Sequence, residues 1–173
     1  MSEPVRITVL VENSVQRPGL VAEHGLSFHV QCGERSLLFD TGQTDLAVIN
    51  AETLRLPLDR VEAIVLSHGH HDHTGGVPAM LEVVPDARLY LHPAGFEKKF
   101  SRNSGPSREI GMSDCVTQTI RRRATGHIET KGRTEIVEGV FVTGEIPLAE
   151  LPRAFEHMKH RNGELKTAVN PWA

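Results

Sequence analysis

Six consecutive residues, His68-Gly69-His70-His71-Asp72-His73, constrain this chain more than any other feature. They follow at once on the apolar run Ile64-Val65-Leu66-Ser67. Imidazole nitrogens and carboxylates are good ligands for zinc, and also for iron or manganese. His68 and His70 are two apart, so in an extended loop both point the same way and reach one ion. Asp72 and His73 are adjacent, where the chain turns toward a helix, and are expected to serve a neighbouring ion. His71, between the pairs, is expected to point away. A lone histidine is most simply a surface or core residue. Four candidate ligands, His68, His70, Asp72 and His73, within six positions after a strand point instead to metal. A structural zinc closes its sphere with four protein ligands, whereas residues shared between two ions leave room for water. Asp72 is the candidate catalytic group, placed to orient that water and take its proton.

The rest of the chain supplies a frame for this loop. Residues 6–11, 26–31 and 36–39 are rich in Val, Leu, Ile and Phe and read as strands. Gly33-Glu34 forms a turn between the second and third, which suggests an antiparallel start to a sheet. Gly42 can turn the chain sharply after Asp40-Thr41. Thr44 is a candidate N-cap for a helix over 45–54. Residues 63–66 read as a strand buried on both faces, and the histidine run lies just past its end, where open α/β sheets place their ligands. Gly69 lets backbone come close, and Gly75-Gly76 permits tight packing behind the loop, ahead of a helix over 77–84. A strand over 89–91 follows, then a short helix opened by Pro93. Residues 101–113 read as loop, 135–137 and 140–142 as strands, and 153–160 as a helix. This order gives a single α/β domain over residues 1–173 with a mixed sheet.

Composition excludes some partners. The net charge is −3, and the sole basic run, Arg121-Arg122-Arg123, reads as a solvated loop or edge, so neither nucleic acid nor an anionic membrane is an expected partner. No apolar stretch has the length of a membrane span, and Met1-Ser2-Glu3-Pro4 has no leader character, so a cytoplasmic location is expected. Cys32 and Cys115 form no framework and are expected to be reduced, buried small residues.

The pattern His68-x-His70-x-Asp72-His73, with Thr74-Gly75-Gly76 behind it, resembles the signature of the metallo-β-lactamase superfamily. Asp40 in Leu38-Phe39-Asp40-Thr41-Gly42 matches that superfamily's early acidic motif, and the resemblance implies that it braces the metal loop from outside. Three segments are similar to one subgroup: 22–27, 66–70, and Val142-Thr143-Gly144-Glu145-Ile146-Pro147. Its members are metal-dependent hydrolases or resemble dihydropterin–ribofuranosylaminobenzene-phosphate synthase. The resemblance spans residues 6–147. It implies an α-β-β-α sandwich, one or two divalent ions (zinc first), and a small-molecule substrate. His24, His92, Thr143 and Glu145 are then candidate pocket residues.

The chain also departs from that pattern. The subgroup's later Gly-Cys-x-His turn has no counterpart here, and after Pro147 only His157 and His160 remain as histidines. The fold is therefore expected to be incomplete at the C-terminus, with an uncovered sheet face that favours a homo-oligomer. Further metal ligands would come from His24, His92, His127, His157, His160, a thiol or a second chain. Two functions stand against each other: a metal-dependent hydrolase or subgroup synthase, and a non-catalytic metal-binding half-domain acting as an oligomer or interaction module.

Overall fold

A computed structural model describes residues 4–101, 106–123, 125–145 and 166–167. Its centre is a six-stranded mixed sheet in the order β1-β2-β3-β4-β5-β8. The strands are β1 (Val5–Val11), β2 (Ser27–Cys32), β3 (Arg35–Phe39), β4 (Val61–Leu66), β5 (Arg88–Leu91) and β8 (Ile128–Glu129). β1, β2 and β3 pair antiparallel, whereas β3, β4, β5 and β8 run parallel. The expected antiparallel start and the expected mixed sheet are both present.

Alternation along the strands sorts the core into two faces. Leu38, Ile64, Leu66, Leu89 and Leu91 pack under α1 (Leu46–Thr53), α3 (Val77–Val83) and α4 (Asp114–Arg122). These helices contribute Ala47, Ala51, Val77, Met80, Val116 and Ile120. Leu37, Phe39, Ala63, Val65 and Tyr90 face the other way, against Ile136, Val137, Val140 and Val142. Those four come from β9 (Thr134–Val137) and β10 (Val140–Val142), which with β11 (Lys166–Thr167) form a second, three-stranded sheet. The expectation of a bare sheet face is thereby corrected, because the β9–β10 hairpin covers the middle of it. Apolar exposure remains on the outer strands, where Ile7 is 52% and Val9 47% exposed on β1 and Ile128 38% on β8.

Several local expectations change. Helix α1 starts at Leu46, yet Thr44 still works at its entrance, since the Leu46 N–H donates to Thr44 Oγ1 at 3.2 Å. The short helix opened by Pro93, expected to run through Lys99, ends at Phe96. The stretch read as loop contains a small antiparallel pair, β6 (Phe100–Ser101) with β7 (Arg108–Glu109), directly ahead of α4. Arg121 and Arg122 end α4, and Arg123 is not a solvated residue, because its Nη2 donates to the carbonyls of Pro85 and Ala87 at 2.9 and 2.7 Å. Cys115 is exposed on α4 and Cys32 is half-buried, so neither is the buried residue expected. The predicted helix over 153–160, with His157 and His160, lies outside the described residues. Among the described residues, no helix is long and apolar enough to cross a membrane.

Candidate metal centre

β4 is buried along nearly its whole length and delivers Ser67 and His68 to the sheet's C-terminal edge. There the chain turns through Gly69 into the single helical turn α2 (His71–Thr74). Gly69 is required by contact: a Cβ built on it would lie 1.9 Å from the Gly95 carbonyl oxygen. Gly76 faces the same limit, with a Cβ 2.2 Å from the Thr41 oxygen. The His73 carbonyl accepts from the Thr41 N–H at 2.9 Å and from Thr41 Oγ1 at 3.1 Å. The Leu26 N–H donates to the Asp72 oxygen at 3.4 Å, so the turn is laced to the start of β2.

Asp40 organises the side chains. It is wholly buried and holds a positive φ of 57°, a conformation costly for a residue with a Cβ. Its Oδ1 accepts from the Ser67 N–H at 2.7 Å. Its Oδ2 accepts from Ser67 Oγ at 2.7 Å and faces His73 Nδ1 at 2.8 Å. Because the Ser67 hydroxyl proton goes to Asp40, the contact of 2.8 Å between Ser67 Oγ and His68 Nδ1 is made by an Nδ1–H donor. His73 likewise presents Nδ1–H to the carboxylate. Both rings therefore carry their proton on Nδ1 and keep Nε2 for an outside partner, the arrangement that outer carboxylates impose on metal-binding histidines. Ser67 is a site residue that the ligand pattern alone does not single out; its place between an acidic motif and the first histidine is the signal the sequence offers.

The three imidazoles converge. The His68 ring lies 4.4 Å from His70 and 4.2 Å from His73, centroid to centroid. The His68 ring is thus close to a member of each expected pair, His70 and His73. Asp72 Oδ2 lies 3.5 Å from His73 Nε2 and 3.4 Å from His24 Nε2. His71 points away as expected, its Nδ1 on the Ile110 carbonyl at 3.1 Å.

Electrostatics separate the rings. Burial and the neighbouring His73 and His70 lower the His68 pKa to about 4, so its ring is neutral at ordinary pH. His70 is lowered chiefly by burial. For His73 burial also disfavours the cation, but the hydrogen bond and charge of Asp40 outweigh it and the pKa rises. Burial pushes the Asp40 carboxyl upward against the opposing contacts of His73 and Ser67.

The remaining candidates lie around this cluster. His24 is 73% exposed at its side chain and bridges Asn13 Oδ1 at 2.9 Å to Asp72. His92 Nε2 meets Glu145 Oε1 at 2.5 Å, and its Nδ1 accepts from the Ala94 N–H at 3.2 Å, so both its nitrogens are engaged. Thr143 Oγ1 contacts the Gly144 carbonyl oxygen at 3.4 Å. The His127 ring packs edge-on against Phe96 at 5.1 Å.

Among the described residues, no group of three or more His, Cys, Asp or Glu side chains is spaced to hold an ion. The donor chemistry nevertheless suits a divalent cation: His68 and His73 are fixed through Nδ1, which keeps Nε2 outside the Asp40 network, and the Asp72 carboxylate stands 3.5 Å from His73 Nε2. The expected ligands His68, His70, Asp72 and His73 have suitable donor atoms, although their spacing closes no site among the described residues.

The chain belongs to the metallo-β-lactamase superfamily, whose family model matches residues 22–151. That superfamily generally binds divalent metals, usually zinc. Two relatives show its range. A 7,8-dihydropterin-6-methyl-4-(β-D-ribofuranosyl)-aminobenzene-5'-phosphate synthase of Methanocaldococcus jannaschii is 25% identical, across 72% of this chain and 45% of its own. An atrochrysone carboxyl ACP thioesterase of Aspergillus novofumigatus is 35% identical, across 83% of this chain and 45% of its own. The chain spans about half the length of the curated relatives it matches. Among solved structures, the metallo-β-lactamase fold protein YhfI from Bacillus subtilis superposes with a TM-score of 0.55 at 16% identity, covering 95% of this chain and 70% of that one. This likeness establishes the shared fold.

Proposed function

We propose that this chain acts as a metal-dependent hydrolase on a small molecule, with His68, His70, Asp72 and His73 holding zinc. The observation that carries the reading is the Asp40 network, which holds His68 and His73 through Nδ1 and keeps their Nε2 atoms out of it, with Asp72 Oδ2 beside that of His73. Such fixing of a ring by an outside carboxylate sets the tautomer a metal needs. A divalent cation held there supplies Lewis acidity and lowers the pKa of water. Asp72 Oδ2 is the carboxylate placed to hold a proton at that point, with His24 Nε2 3.4 Å away on its outer side. The thioesterase and the pterin-phosphate synthase among the relatives support a small-molecule substrate carrying an ester, thioester or phosphate group.

A second reading has its own support. The described residues close no sphere of three ligands, which favours a metal-binding unit without turnover. Zinc, manganese and iron(II) titrations of the purified chain, paired with hydrolysis of 4-nitrophenyl esters, separate the two. Tight binding that His70→Ala abolishes, together with turnover, supports the hydrolase. Weak binding of a single ion without turnover supports the second reading. No binding of any of these metals overturns both.

A further inference from the structure

Lys99 places a positive charge at the flank of the histidine cluster. It lines a cavity of about 140 Å³ together with Ser67, His68, Gly69, His92, Gly95 and the acidic residue Glu97. Its ammonium donates to the backbone carbonyls of Ala94 at 2.7 Å and Glu97 at 3.1 Å. Those bonds use two of its three N–H donors and fix the head group without neutralising it. No carboxylate lies within ion-pair distance of Lys99 among the described residues, whereas the adjacent Lys98 turns outward and pairs with Glu109 at 3.4 Å. The Lys99 charge reaches both His68 and His70, making each ring harder to protonate.

The placement of Lys99 is built into the backbone. The Ile110 N–H donates to the Lys99 carbonyl at 2.8 Å. The Ile110 carbonyl in turn accepts from the His71 N–H at 3.0 Å and faces His71 Nδ1 at 3.1 Å. One residue of the β6–β7 segment thus clips Lys99 to the histidine run itself. Burial pulls the Lys99 pKa below the ordinary lysine value, and the charge of the nearby Glu97 carboxylate opposes this only in part. A half-buried, rigidly held cation with no ion-pair partner among the described residues, in a cavity floored by a candidate metal ligand, suits an anion from outside the protein, which would have to outweigh the more distant Glu97 carboxylate.

We infer that Lys99 is the residue that selects the substrate, by anchoring an anionic group, carboxylate or phosphate, in the cavity beside His68. This rests on the hydrolase reading for the word substrate, but the anion site stands on its own geometry. Lys99 acts in binding and orientation; no bond is made or broken on it.

The test uses the whole chain, metal-free and zinc-loaded, with methylphosphonate and acetate as probes of the two anion chemistries. Isothermal titration is run on wild type, Lys99→Gln and Lys99→Arg. Gln keeps a donor for the two carbonyls but removes the charge. The expected result is binding of at least one probe that weakens about tenfold or more in K99Q and is retained in K99R. The probe that responds identifies phosphate or carboxylate as the natural partner. In wild type, the Lys99 Nζ signal followed by ¹⁵N NMR should shift and saturate with the same affinity, which decides the matter even if K99Q does not fold. Equal affinities in wild type and folded K99Q, or no movement of the Nζ signal, overturns the inference. Hydrolysis is scored separately, as the ratio of kcat/KM for 4-nitrophenyl hemisuccinate to that for 4-nitrophenyl acetate. A zinc-loaded chain that cleaves neither ester overturns the hydrolase reading and leaves the anion site to be judged on binding.

Discussion

His73 Nδ1 stands 2.8 Å from Asp40 Oδ2, and the same oxygen accepts the Ser67 hydroxyl at 2.7 Å. One buried carboxylate from the end of β3 therefore orients one ring directly and another, His68, through a hydroxyl. Asp40→Asn should keep the shape but break this pattern, because an amide cannot accept from all three donors at once. Metal affinity should fall roughly 10- to 100-fold, the range for lost outer-shell partners. Asp40→Ala should also destabilise the fold by about 3 kcal/mol, since it strands buried donors and a ring poised for a counter-charge. Calorimetric zinc titration and urea melts of the metal-free variants check both. Unchanged affinity in a folded Asp40→Asn protein would show that the rings orient themselves.

Gly69→Ala tests the turn that carries the site. The added Cβ would meet a backbone oxygen, that of Gly95, which cannot move aside like a side-chain tip. The segment after β5 must shift, at a cost of about 2 kcal/mol. Because Gly95 also lines the Lys99 cavity, anion binding should weaken along with stability. A melting midpoint equal to wild type would mean that the loop has slack the structure does not show.

His29 gives a pH dependence independent of the metal. It is 1% exposed on β2, its Nε2 lacks a hydrogen-bond partner among the described residues, and burial lowers its pKa from 6.5. Above 6.5 the folded and unfolded chains both hold it neutral, so it contributes no slope there. As the pH falls below that value, the unfolded chain takes up a proton that the folded chain refuses, and stability drops until the lowered folded pKa is passed. His29→Leu should flatten this part of the stability profile and remove the orphaned nitrogen. Urea midpoints between pH 7 and about 5 measure it, and identical slopes for the two proteins would exclude His29 as the source.

The strands were legible because each of β1 to β5 is a short apolar run bounded by turn residues, and β4 reads as buried on both faces. The histidine run was legible because packing alone gives a chain no reason to crowd three imidazoles and a carboxylate into so few positions. Helix α4 was not, since only Val116 and Ile120 of its nine residues are buried and the rest is polar. Its start was nonetheless written in Ser113, whose Oγ accepts from the Val116 N–H at 3.2 Å. Lys99 was invisible for a different reason. Lys98 and Lys99 are adjacent and alike in sequence, and only the path of β6 and β7 decides which turns outward to Glu109 and which turns toward His68. Asp40 was legible by resemblance, but its hold on His73 depends on the register that sets the end of β3 beside β4, with the Asp40 N–H on the Val65 carbonyl at 2.8 Å.

The order in which the site's rings lose their protons is the sharpest test of its electrostatics. In the metal-free chain His68 should titrate near about 4, because it is buried and flanked by two other imidazoles. His73 should titrate above 6.5, because the Asp40 carboxylate favours its cation more than burial opposes it. A metal competes with protons for Nε2, so acidification should first weaken metal binding through His73, while His68 stays neutral across that range. Histidine Cε1–H signals followed by NMR give the two values directly, and zinc affinity measured over the same range gives the linkage. His73→Asn should remove most of the pH dependence of whatever metal binding remains, whereas Asp40→Asn should bring the His73 titration down toward the ordinary imidazole value. If His68 took up its proton before His73, the hydrogen-bond assignment through Ser67 would have to be reversed.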